Sequence, residues 1–282
     1  MTAGASMLDY SPSRQGSDTG HAGTYRRSLP VSLERLYENA LDWEHLPWVH
    51  ADSFGAIECL ELAADRWRAR TESPRGDASV IELALDRASR RWITRVLSGS
   101  GTGNEIWTHA FPMLASGSGR DRVDIVVDFF LPAVPAADRE AVGAAYARLY
   151  ERLYDEDVAM MVERSRQLER RLGATRDGAT RLELGPRERL SLPQEFTLGG
   201  RSFLLVESLG KLRAFPAQCP HMLGPLSAAG VAEGAVTCPW HGYRFDLATG
   251  QNLSGHTCTL YPLPSVVLEA SGNVLVEMTH FR

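Results

Sequence analysis

Cys219-Pro220-His221 and Cys238-Pro239-Trp240-His241 are the two runs on which the reading of this chain turns. Sixteen residues, Met222 to Thr237, separate them, and together they set out two thiols and two imidazoles as C-x-H followed by C-x-x-H. Thiolate sulfur and imidazole nitrogen in fixed spacing are metal ligands before they are anything else. A zinc finger groups its ligands as a Cys pair followed by a His pair on a helix, whereas each half here supplies one Cys and one His from a loop rich in Gly and Pro. Zinc is therefore the weaker reading. Pro220, Gly224 and Pro225 shape the first loop, and Pro239 and Gly242 the second, so that backbone N–H groups can point at sulfur.

Two Cys on one iron and two His on the other is the ligand pattern of a Rieske [2Fe-2S] centre. The run Cys238-Pro-Trp-His-Gly-Tyr-Arg-Phe-Asp246 resembles the second cluster loop of the Rieske oxygenase and Rieske ferredoxin families. The resemblance implies a [2Fe-2S] cluster held by Cys219, His221, Cys238 and His241. In the respiratory-complex relatives each loop carries a further Cys, and the two form a disulfide. Gly224 and Trp240 occupy those places here, so the resemblance is to the lower-potential, oxygenase-associated branch. Tyr243 can donate a hydrogen bond toward a cluster sulfur, and Met222, Leu223 and Trp240 would limit water access, both of which tune a reduction potential. Cys59 and Cys258 stand far along the chain from this motif and read as buried free thiols.

At 282 residues, with 44% hydrophobic content, the chain has room for one large or two medium soluble domains. A net charge of −5 argues against a nucleic-acid partner. No apolar run approaches the roughly 18 residues of a membrane span. Residues 1–28, rich in Ser, Gly, Thr and Ala without periodicity, read as a disordered tail. Arg26-Arg27 invites comparison with a twin-arginine export signal, but Glu34 and Arg35 follow closely and no apolar stretch intervenes, so the expected location is the cytoplasm.

Leu33, Leu36, Tyr37, Ala40 and Leu41 recur at helical spacing between about Val31 and Glu44, with Ser32 placed as N-cap. Strand patterns follow at 55–62, 65–71, 79–85, 91–97, 104–113 and 121–131, and Gly99–Gly103 and Ser116–Gly119 read as hairpin turns rather than phosphate loops. A long helix is expected from about Ala137 to Leu172, with Val142, Ala145, Leu149, Leu153, Met160 and Met161 along one face. Helix, antiparallel sheet and closing helix make an α+β layer with a cavity between sheet and helix. Residues 173–178 read as a linker, after which short strands at 181–184, 195–198, 201–208, 211–216 and 261–278 make a small all-β domain.

The N-terminal half holds a second constellation, Asn39-x2-Asp42-x2-His45-x4-His50. Two His and a carboxylate can form the facial triad that leaves positions open on non-haem Fe(II). On an ideal helix residues five apart diverge by about 140°, so both His meet one metal only where the helix is distorted, and Pro47 supplies a cause. Asp42 lies three before His45, on the same face, placed to accept its ring N–H. Asp157 lies four after Leu153 and four before Met161, on the inward face, where a carboxylate needs a cation.

This arrangement resembles the iron-site motif of the Rieske oxygenase catalytic domain, and Glu156-Asp157-Val158 followed by Glu163 resembles the segment that supplies its third ligand. The resemblance implies mononuclear Fe(II) on His45, His50 and Asp157, with Asp42 as the catalytic bridging carboxylate that carries electrons from the cluster. The expected fold is α+β: an N-terminal helix-grip (START-like) antiparallel sheet with a long C-terminal helix at 29–175, then a small all-β Rieske domain at 176–282. That order reverses the family's usual one, in which the Rieske domain comes first and subunits assemble as head-to-tail homotrimers.

The implied activity is hydroxylation or oxidative demethylation of a small, largely apolar organic substrate with O₂. No flavin or dinucleotide motif is present in the sequence, so NAD(P)H would act only through a partner reductase, directly or by way of a ferredoxin. The competing expectation is a Rieske electron-transfer protein fused to a non-catalytic START-like ligand-binding domain. Trp107, His109, Phe111, Phe129 and Tyr146 are candidates for the pocket, though each reads more simply as core.

Overall fold

The computed structural model describes residues 20–113, 121–173 and 178–278. The turn expected at Ser116–Gly119 lies outside these residues, as do residues 1–19 and 174–177. The chain divides into two compact units, Met1–Val162 and Glu163–Arg282.

Seven strands form one antiparallel sheet in the first unit: β1 (His21–Leu29), β2 (Ala56–Ala63), β3 (Arg66–Glu72), β4 (Ala78–Asp86), β5 (Arg91–Gly99), β6 (Glu105–Met113) and β7 (Arg122–Phe130). Their order is β1-β7-β6-β5-β4-β3-β2, so the first strand closes against the last. Between β1 and β2 run α1 (Leu33–Leu41), a 3₁₀ turn (Trp43–His45) and α2 (Leu46–Val49). After β7 comes α3 (Arg139–Gly173), which grips one face of the sheet. Alternation sets that face: Ile106, Thr108 and Ala110 of β6 and Val123, Ile125, Val127 and Phe129 of β7 point into the core under α3. Sheet and long helix together make the helix-grip arrangement expected from the sequence.

Two expectations are corrected. The tail placed at 1–28 ends sooner, because His21–Leu29 is a strand whose pairing runs from His21↔Phe130 to Leu29↔Val123. Its own sequence shows no alternation, and the ladder to β7 makes it a strand. Arg26 and Arg27 lie within this ladder, and Arg27 pairs with Asp155 at 2.6 Å. The inward stripe of α3 also differs: Ala145 is exposed, and Tyr146, Tyr150, Tyr154, Asp157 and Met161 face the sheet. A Cβ on Gly143 would lie 1.9 Å from the Ala22 carbonyl oxygen, so glycine there lets α3 cross β1.

The second unit is all-β beyond the end of α3. β8 (Arg181–Pro186) pairs with β16 (Asn273–Met278), which pairs with β15 (Pro264–Leu268). β9 (Gln194–Leu198), β10 (Arg201–Ser208) and β11 (Lys211–Pro216) form a meander, and β12 (Val231–Ala232), β13 (Ala235–Thr237) and β14 (Arg244–Asp246) a smaller one. Phe196, Phe203, Leu205, Val274 and Val276 are among the residues of its core. The division between units falls inside α3, upstream of residue 175, because Gln167, Arg170 and Arg171 share a cleft with Gly199–Ser202.

Candidate metal centres

α1 begins at Ser32, whose hydroxyl accepts from the Arg35 N–H, and stops at Leu41 rather than Glu44 because Asp42 leaves helical geometry. The 3₁₀ turn then carries His45, and α2 with Pro47 in its first turn ends at His50, which is also non-helical. The distortion needed to aim two His at one point is thus spread over two breaks, with Pro47 at only one of them. One ligand atom each of His45, His50 and Asp157 lies within 4.8 Å of the others, and all three residues are buried.

Asp157 Oδ1 is the common point, 3.0 Å from His50 Nε2, 3.3 Å from His45 Nε2 and 3.0 Å from Asn39 Nδ2, which donates to it. Asp42 Oδ2 stands 3.5 Å from His45 Nδ1, and Glu156 Oε2 is 2.6 Å from His50 Nδ1. Each imidazole therefore has one nitrogen on the shared point and a carboxylate behind the other. Neither His45 nitrogen is in hydrogen-bond geometry, although both carboxylates are close.

Burial alone would lower the His45 imidazole, but Asp157 and Asp42 outweigh it and hold it up at about 10. Burial likewise pushes the Asp157 carboxyl up, and the two His more than reverse this, leaving it well below the usual range. A buried anion with two imidazoles around it is a site that keeps a positive charge, either a proton or a metal.

A cavity of about 130 Å³ opens beside this point, between α3 and the sheet. Trp67, Leu83, Trp92, Phe54, Tyr150 and Tyr154 supply much of its wall, and Thr94 joins Asn39, Asp42, His45, His50 and Asp157 on its polar side. Burial raises the phenols of Tyr150 and Tyr154, so both remain protonated. Trp107, His109, Phe111, Phe129 and Tyr146 do not line it. Phe129 is fully buried core, and Trp107, His109 and Phe111 lie on the opposite face of the sheet from the inward residues of β6.

In the second unit the two loops form a matched pair. The Cys219 N–H donates to the Gly224 carbonyl at 2.8 Å and the Leu223 N–H to that of Cys219 at 3.0 Å; Cys238 and Tyr243, and Gly242 and Cys238, repeat the pattern at 2.9 Å each. Both Cys are 1% exposed, the Nδ1 atoms of His221 and His241 are buried, and the two rings meet edge-on at 4.6 Å. The thiols are close enough to share a proton: their mutual hydrogen bond lowers Cys238 to about 5 and raises Cys219. Two thiols and two imidazole nitrogens in a dry pocket are the donor set a [2Fe-2S] cluster needs. A Cβ on Gly224 would lie 2.8 Å from Trp240 Cδ2 and 3.0 Å from Cys238 Sγ, so this glycine keeps the space open. Cys258, read from the sequence as remote, is near enough that its charge raises Cys219.

Residues 181–262 match the Rieske [2Fe-2S] domain. Within that region all four predicted ligands, Cys219, His221, Cys238 and His241, converge. The chain is 40% identical over 57 residues to apoptosis-inducing factor 3 of Mus musculus and of Homo sapiens, which covers 20% of this chain and 9% of those relatives. It is similar in fold to the ferredoxin of carbazole 1,9a-dioxygenase from Nocardioides aromaticivorans, at 21% identity and TM-score 0.29 over 36% of this chain and 100% of that one. It is also similar in fold to a START superfamily protein from Mycobacterium smegmatis, at 19% identity and TM-score 0.39 over 50% of this chain and 97% of that one. The architecture is a helix-grip antiparallel sheet with its long helix, followed by a small all-β unit that carries the Rieske match. No helix among the described residues is long and apolar enough to cross a membrane.

Proposed function

We propose that this chain is a Rieske non-haem iron oxygenase that hydroxylates or oxidatively demethylates a small, largely apolar substrate. The observation that carries the reading is the convergence of His45, His50 and Asp157 on one buried point beside an aromatic cavity. Two imidazoles and one carboxylate suit Fe(II) that must keep positions open, and when bound this iron would supply O₂ activation. The Rieske cluster would supply electrons one at a time. NAD(P)H acts only through a partner reductase, with or without a ferredoxin between them, and the expected setting is the cytoplasm.

The chain's own groups have separable tasks. The cavity is close in size to an engineered apolar cavity of about 150 Å³ that takes up benzene, so the substrate is a single ring or something of similar bulk. The wall of Trp67, Trp92 and Phe54 holds it by shape and excludes water. Asn39 donates to Asp157 and fixes which carboxylate oxygen faces the His pair. Glu156 accepts from His50 Nδ1, setting its tautomer so that Nε2 is the ligand atom. Glu156→Gln is expected to weaken Fe(II) binding by about 10–100-fold, measured by competition with a chelator, without loss of the cluster.

Asp42, 3.5 Å from His45 Nδ1, would be the carboxylate that links this imidazole to an electron donor. Asp42→Asn is expected to leave cluster and iron in place but slow single-turnover reoxidation of the cluster in the presence of substrate and O₂. Unchanged reoxidation would remove the bridging role. Metal binding must also displace the proton that His45 holds up to about 10. Affinity for Co(II), an air-stable stand-in, should therefore climb by about tenfold per pH unit up to pH 8.5, well above the ordinary imidazole range.

Turnover tests the reading itself. Protein loaded anaerobically with Fe(II), given a surrogate reductase, ¹⁸O₂ and a panel of single-ring compounds, is expected to yield labelled product. The rival, an electron carrier with a ligand-binding domain, predicts substrate binding without oxygen incorporation.

A further inference from the structure

Three rings stack from the surface of the Rieske domain to one of its ligand imidazoles. His256 is exposed, and its ring lies 3.8 Å from that of Tyr243 with the planes 12° apart. Tyr243, only 5% exposed, lies in turn 4.5 Å from His221 with the planes 13° apart. Tyr243 also meets His241 edge-on at 5.9 Å, so a single ring touches both imidazoles of the donor set.

The segment that carries His256 is held in place. The Leu253 N–H donates to the Arg244 carbonyl at 2.7 Å, the Ser254 hydroxyl accepts from the Arg244 N–H at 2.9 Å, and the Leu260 N–H donates to Gly250 at 2.8 Å. An exposed His on a loop is ordinarily free to turn into water, whereas this one lies flat on a buried phenol. Around it Leu253, Ser254, Gly255 and Thr257 form an exposed, uncharged surface. Of the four donors Cys219, Cys238 and His241 are each under 10% exposed and His221 alone is half-buried, so His256, stacked through Tyr243 on that imidazole, extends the one donor within a partner's reach.

We propose that His256 is the electron-entry port of the Rieske domain. A one-electron donor protein, carrying an iron–sulfur cluster or a flavin semiquinone, docks on residues 253–257 with its redox group over His256. One electron then passes along His256, Tyr243 and His221. The donor is oxidised by one electron and the cluster reduced by one, with no bond made or broken in the three rings. A contact confined to the exposed residues 253–257 suits the small, short-lived encounters of redox partners. This port does not depend on the iron site of the first unit and holds for oxygenase and carrier alike.

The alternative role is a cover, in which His256 merely shields the cluster from water, and the test separates the two. Wild type, His256→Ala and His256→Phe are reduced anaerobically in a stopped-flow instrument, once by a photoreduced plant-type ferredoxin and once by dithionite. The cluster potential of each is measured by titration with electron paramagnetic resonance.

A port predicts that His256→Ala is reduced by the ferredoxin about tenfold or more slowly, while His256→Phe stays within about threefold of wild type. The potential and the dithionite rate are unchanged. Should His256→Ala fail to load a cluster, His256→Gln removes the ring while keeping a polar side chain. Equal ferredoxin rates in wild type and the ring-less variant, whatever their size, overturn the port. So does a slowing accompanied by a shifted potential or a faster dithionite reaction, which is the signature of a cover.

Discussion

Asp157→Ala is expected to lose the mononuclear iron and all substrate-dependent oxygen incorporation, while the visible spectrum of the Rieske cluster stays as in wild type. Asp157 is the one anion of the triad, and its Oδ1 is the atom on which His45, His50 and Asn39 all converge, at 3.0 to 3.3 Å. Loss of an outer partner costs about 10–100-fold in metal affinity, and loss of the anionic ligand itself should exceed that. The variant also leaves His45 buried without the nearer of its two carboxylates, so Asp157→Asn, which preserves shape, is the control for folding.

The metal-free protein gives a further check through the sign of the two shifts. His45 is raised, so its contribution to stability is complete below about 6.5 and fades as pH rises through about 10. Asp157 is lowered, so its contribution is present above about 4 and fades in acid. Both operate fully between about pH 4 and 6.5, so either Asp157 variant should lower the thermal midpoint within that window and flatten its fall on either side. Retention of the iron by Asp157→Ala would remove the triad assignment.

Gly224→Ala carries the second large effect, on the other centre. The added methyl would stand 2.8 Å from Trp240 and 3.0 Å from Cys238 Sγ, against ordinary carbon contacts of about 3.5–4.0 Å. Trp240 is 7% exposed and sits between Pro239 and His241, so pushing it away moves the second loop and both of its ligands. Overpacking of this kind costs about 1–3 kcal/mol in a rigid core, and a cluster that needs four ligands in place is less tolerant still. We expect most of the acid-labile sulfide to be lost, with partial recovery when Trp240→Leu is added. Full sulfide content in Gly224→Ala would mean that the loops are looser than the packing indicates.

The candidate ligands could be picked out of the sequence because metal chemistry restricts residue type so tightly. Few roles other than metal binding ask for Cys219, His221, Cys238 and His241 at that spacing, and an inward Asp157 on a helix needs a cation. Strands β2 to β7 were legible within a residue or two because each alternates or is bounded by Gly, Asp or Pro. β1 was not, because its partner β7 lies about a hundred residues on and its own pattern is polar.

Glu156 was passed over as a partner of His50 because it sits about 100° round α3 from Asp157, and only the position of His50 after the α2 break brings the two together. The cavity wall was misassigned for a related reason. Which face of β6 is inward depends on its register with β7, so Trp107 and His109 fell on the outer side while Trp67 and Trp92 of other strands filled the wall. His256 and Cys258 carry no local signal at all. They reach the neighbourhood of the cluster only because residues 250–260 fold back over Arg244 and Gly250.

As an oxygenase, the first unit would hold an iron of its own, separate from the cluster. Iron and acid-labile sulfide measured together on anaerobically purified, Fe(II)-reconstituted protein test it most directly. An iron held by His45, His50 and Asp157 gives about three irons to two sulfides per chain, falling to two irons in Asp157→Ala with the sulfide unchanged. Two irons to two sulfides in the reconstituted wild type would contradict it and leave an electron carrier in place of an oxygenase.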